Sequence, residues 1–115
     1  MAINELEIRK LEKALEKFLN KRRPPISMRN QLDFGYKFQN QSVEILEIRP
    51  NWRDPDTKID ISVAKATYVK STKTWKIYWQ RADMKWHSYQ PAPSVKSFED
   101  FLQIVDEDAN ACFFG

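Results

Sequence analysis

The sequence predicts an α+β domain: an N-terminal helix, about five antiparallel strands arranged as a meander, and a C-terminal helix. Three observations carry that expectation. Apolar residues recur at helical spacing only near the two ends of the chain. Between them lie short alternating runs separated by turn-forming residues. At 115 residues the chain has the length of one domain, so residues 1–115 are read as a single unit.

The first helix carries good end signals. Asn4 is placed to cap it, Glu7 stands three residues on as in a capping box, and Ile3 with Ile8 can form a hydrophobic staple. Ile8, Leu11, Leu15, Phe18 and Leu19 then share one stripe, with Ala14 at its edge and a mixture of Glu and Lys opposite. The helix is expected to stop near Asn20, because Pro24-Pro25 cannot continue it. The cations Lys21, Arg22 and Arg23 at that stop oppose the negative end of the helix dipole. That reading is preferred to a basic arm touching phosphates.

The strands come next. Leu32, Phe34, Tyr36 and Phe38 alternate with polar residues or glycine, as a half-buried strand requires. After a turn at Gln39-Asn40-Gln41, the run Val43 to Ile48 changes apolar parity between Ile45 and Leu46, which predicts a bulge or a strand covered on both faces. Asn51 to Asp56 is a loop holding Trp52. From Lys58 to Lys70 parity switches again, with Ile59, Ile61 and Val63 on one side and Ala64, Ala66 and Tyr68 on the other. Thr74 to Tyr89 concentrates three of the four tryptophans, two tyrosines and the only histidine. Alternation puts Trp75, Ile77 and Trp79 on a core face and Lys76, Tyr78 and Gln80 outside. A turn at Ala82-Asp83-Met84 leads to a strand from Trp86 to Tyr89, which ends at Pro91-Ala92-Pro93.

The second helix opens at Ser97, its cap, and buries Phe98, Phe101, Leu102 and Val105. The end of the chain, Cys112-Phe113-Phe114-Gly115, is apolar enough to dock on the body.

Composition narrows the function classes. The net charge is +3, from 18 cations and 11 acids before Lys96 and from one cation and five acids from there on. A basic body with an acidic tail fits an anionic partner or internal neutralisation, the second being preferred. A single cysteine excludes an internal disulfide and fits a reducing compartment. No apolar run reaches membrane-spanning length, and the charged start lacks a signal peptide's apolar core. A cytoplasmic protein without membrane partners is expected, and Asn40-Gln41-Ser42 is read as a chance glycosylation pattern.

Catalytic and metal readings are weak. One histidine and one cysteine do not assemble a zinc site, and no cofactor is expected. Asp106, Glu107 and Asp108 are consecutive at a helix end and point in different directions. Glu47-Ile48-Arg49 only approaches the Glu-x-Lys of metal-dependent nucleases. Two glycines in the whole chain leave no phosphate cradle. His87 is read as structural, ahead of a nucleophilic pair with Cys112.

Nucleic-acid binding survives better. Cations interleave with aromatics in the manner of single-strand binders. The candidate contacts are Arg49, Trp52, Arg53, Lys65, Tyr68, Lys76, Tyr78, Arg81 and Lys85. The cations would meet phosphates while the aromatics stack on bases. Ordinary edge-strand lysines over a tryptophan core explain much of the same pattern. The alternative is a protein-interaction or self-associating protein using Trp52 and the apolar C-terminus, Phe113-Phe114. A hydrolase using His87 with Asp83 stands third.

Five segments carry a resemblance: Lys21 to Pro25, Ser42 to Trp52, Ala64 to Lys70, Trp75 to Pro93 and Val105 to Gly115. In that order they resemble a family of small bacterial proteins catalogued only as a domain of unknown function, the domain-of-unknown-function 3024 family. The resemblance spans nearly the whole chain. It implies a stand-alone bacterial protein and carries over no activity, ligand or catalytic residue.

Overall fold

The computed structural model describes residues 4–81, 83–108 and 112–113. Helix α1 (Glu5–Arg22) is followed by a single 3-10 turn (Ile26–Met28) and strands β1 (Asp33–Gln39), β2 (Ser42–Pro50), β3 (Lys58–Val69), β4 (Thr74–Gln80), β5 (Trp86–Ser88) and β6 (Ser94–Val95). Helix α2 (Phe98–Glu107) completes the order. This is the expected α+β meander, with one additional short strand.

The end signals work as the sequence implies. Asn4 accepts a 2.9 Å hydrogen bond from the Glu7 amide, and Ser97 caps α2 by accepting from the Asp100 amide. Ile3, the other half of the expected staple, lies outside the described residues. Helix α1 runs two residues past Asn20, because Arg23 still donates its amide to the Leu19 carbonyl and only Pro24 stops it.

The five longer strands pair in sequence order, all antiparallel, and β6 joins the free edge of β4 beside β5. Register shifts between Ile45 and Leu46, where Ile45 faces Ala64 and Leu46 faces Ser62. Val63 is therefore the extra residue, and the bulge belongs to β3. That insertion accounts for the parity switch in β3, whereas β2 keeps its alternation and is buried at every position from Val43 to Glu47, on both faces.

Both helices pack on one face of the sheet. Leu11, Leu15 and Phe18 of α1 and Phe98, Phe101 and Val105 of α2 share a core with Val43, Ile45, Ala64, Ala66, Trp75 and Ile77. Trp75 lies between Tyr68 and Phe98, with ring centroids 5.0 and 5.1 Å away. The chain end closes this core: Phe113 is buried, stacks 4.9 Å from Tyr89 and donates its amide to Asp108. Phe114 lies outside the described residues. Among the described residues no helix is long and apolar enough to cross a membrane.

Three cations at the end of α1 tie the layers together. Arg22 donates to the Asp106 carboxylate at 3.0 Å and to its carbonyl at 3.1 Å, and Lys21 reaches the same carboxylate at 3.2 Å. Arg23 grips Asp33 through two 2.7 Å bonds. These residues are structural, as preferred, but named carboxylates rather than the helix dipole alone hold them. Asp106 also shows part of the acidic tail answering the basic body.

Candidate functional site

Pairing across the strands decides which candidate residues meet. Lys65 of β3 stands opposite Tyr78 of β4, and Thr67 stands opposite Lys76. Lys65 also faces Glu44 of β2, which faces Lys37 of β1. All have the parity opposite to the core residues, so they form the face of the sheet away from the helices. Across the next hairpin Trp86 pairs with Gln80 on that same face.

The rings of Tyr78 and Trp86 flank the Lys65 ammonium, whose nitrogen lies 5.0 Å from one centroid and 4.8 Å from the other. Such placement attracts the cation to the π-faces. Tyr78 and Trp86 are each half-buried, and Lys76 is exposed. The sequence alone marked Lys65, Lys76 and Tyr78. It missed Trp86, since only register shows that β5 turns this ring outward.

Glu44 sits beneath this cluster with 7% of its surface exposed. Its Oε1 accepts a hydrogen bond from Ser62, and Lys37 lies 3.9 Å away. A concavity of about 270 Å³ opens beside it, lined by Gln39, Asn40, Ser42, Glu44, Lys65 and Trp86.

Other expected contacts lie elsewhere. Tyr68 is corrected: it pairs with Trp75 and packs on that ring, so it belongs to the core face. Arg49 is held by Glu47 at 2.9 Å, which answers its charge locally. Trp52, 80% exposed, carries the Arg53 guanidinium 4.7 Å over its ring at the tip of the β2–β3 hairpin. That hairpin passes Ala64, the last β3 residue paired with β4, by six more residues to Lys58, roughly 20 Å at strand rise. Trp52 and Arg53 are thus remote from Lys65. Arg81 and Lys85 flank the β4–β5 turn and are exposed, with Arg81 5.5 Å over the Trp79 ring on the core side.

His87 and Asp83 do meet, Nε2 to Oδ2 at 2.9 Å, in the β4–β5 turn. The Lys85 amide and then His87 hold the Asp83 carboxyl below its ordinary range. Neither residue lines the concavity beside Glu44. The Cys112 thiol, by contrast, is pushed up by burial and by Asp108, away from a nucleophilic thiolate.

A larger concavity, about 460 Å³, lies between α1 and α2 on the opposite side of the molecule. Lys10, Lys13, Lys17 and Lys21 line one wall and Glu99, Gln103 and Asp106 the other. The sequence showed only mixed charge here; the helix repeat gathers these lysines into a row. Acids oppose that row and its aromatic, Phe18, is buried, so it offers no stacking surface.

Fold and face together define a small two-layer protein with an open, basic and aromatic sheet surface. Over residues 3–115 the chain matches the family described as domain of unknown function DUF3024, and it belongs to that family. No curated protein and no solved structure matches it.

Proposed function

We propose that the uncovered face of the sheet binds single-stranded nucleic acid without catalysis. The observation that carries this reading is Lys65 held between the rings of Tyr78 and Trp86 on the face that the helices leave open. Stacking platforms flanked by cations suit single strands, because every base has a π-face and every linkage a negative charge. Lys37 and Lys76 extend the positive charge along the same face. Arg81 and Lys85, at the β4–β5 turn on the core side, lie off this face. The single cysteine and the family resemblance support a bacterial protein working in the cytoplasm.

Titration of short oligonucleotides by tryptophan fluorescence at low salt tests this. Binding should weaken steeply as salt rises, since each neutralised phosphate releases counterions. Absence of binding at low ionic strength overturns the reading.

Trp52 favours a second reading. A tryptophan 80% exposed on a projecting hairpin, with exposed Ile59 on the same hairpin, suits a contact with another protein or a second copy. Sedimentation of the intact protein against Trp52→Ala would reveal it as an association that the substitution weakens.

A further inference from the structure

We infer that the concavity beside Glu44 is a pocket for one nucleobase and that it selects guanine. This deepens the proposed function and, for binding within a strand, rests on it. At about 270 Å³ the space suits one base rather than a larger ligand. Trp86 supplies an aromatic wall, and Gln39 and Asn40 supply amides at the rim.

Glu44 supplies the selection. A carboxylate on the exposed face of a sheet would ordinarily reach into solvent, yet this side chain is nine-tenths buried. Ser62 donates to Oε1, and the Lys37 ammonium approaches the same oxygen at 3.9 Å. A carboxylate has about four acceptor sites, so both oxygens retain capacity on the pocket side. Guanine presents two adjacent donors on its Watson–Crick edge, the ring N1–H and the exocyclic amine. Adenine and cytosine each pair one donor with a neighbouring acceptor, which a carboxylate repels. The acceptor O6 of guanine, beside its two donors, suits the donor-only ammonium of Lys65, which lines the same pocket. Bases splayed from a single strand are read along this edge.

The test uses a thymine tract carrying one central guanine, adenine, cytosine or inosine, with guanosine monophosphate as a separate probe. Bidentate discrimination predicts that the guanine strand binds roughly tenfold or more tightly than the adenine or cytosine strand. Inosine, which lacks the exocyclic amine, should lose part of that gain. Glu44→Gln should abolish the preference while strand binding itself persists, with circular dichroism checking the fold. Strand binding without base preference overturns the pocket but not the strand reading. Glu44-dependent binding of guanosine monophosphate with no strand binding upholds the pocket and overturns the strand reading. Binding of neither probe overturns both.

Discussion

Arg23 and Asp33 face each other through two parallel 2.7 Å bonds, joining the end of α1 to the start of β1. The pair replaces a covalent or extended packing link across a ten-residue connection that contains two prolines. Asp33→Asn keeps the shape but removes the charge, and should cost about 1–3 kcal/mol by urea denaturation.

The same pair makes stability fall in acid. The Arg23 hydrogen bonds outweigh burial and, with the Phe34 amide, hold the Asp33 carboxyl below its ordinary value of 3.8. A depressed folded pKa means the contribution is complete above about pH 4 and is lost as pH drops through the folded value. Asp106 adds the same sign, since Arg22 and Lys21 together overcome its burial. Melting temperature should therefore decline below pH 4, and less steeply in Asp33→Asn.

Neighbouring residues on β4 should behave oppositely. Ile77 is fully buried in the core, so Ile77→Ala should cost about 2–5 kcal/mol. Tyr78, next in sequence on the open face, should cost under about 1 kcal/mol when changed to alanine. Equal losses would contradict the assignment of the two faces.

Trp52 and Trp75 mark the extremes of solvent access. Acrylamide should quench a fraction of the fluorescence readily, and Trp52→Phe should remove most of that fraction. Trp52→Phe should leave stability within about 0.5 kcal/mol, because the ring is 80% exposed and its partner, the Arg53 guanidinium, can lie over phenylalanine as well.

Much of this architecture is legible in the chain because local rules agree with the fold. The caps at Asn4 and Ser97 and the alternation of Trp75, Ile77 and Trp79 lead directly to observed elements. The candidate site is less legible, because it depends on pairing between strands. Trp86 joins Lys65 only through the register of β5 on β4 and of β4 on β3. Tyr68 reads as a candidate contact because Ala64 and Ala66, on its side of β3, are too small to mark that side as core. Arg49 looked free because its partner, Glu47, is a charged residue buried on the strand. The lysine row on α1 is interleaved with glutamates in sequence and separates from them only around the helix.

The central claim, that the open face binds single strands through Lys65, Tyr78 and Trp86, has one direct measurement. Oligonucleotide affinity should be determined across a salt series for the unaltered protein and for Lys65→Glu, with Trp52→Ala as a distant control. The account predicts steeply salt-dependent binding that Lys65→Glu weakens at least tenfold, at roughly 1–3 kcal/mol for a lost stacking and phosphate site, while Trp52→Ala leaves it unchanged. No binding at low salt, or equal binding by Lys65→Glu, would contradict it.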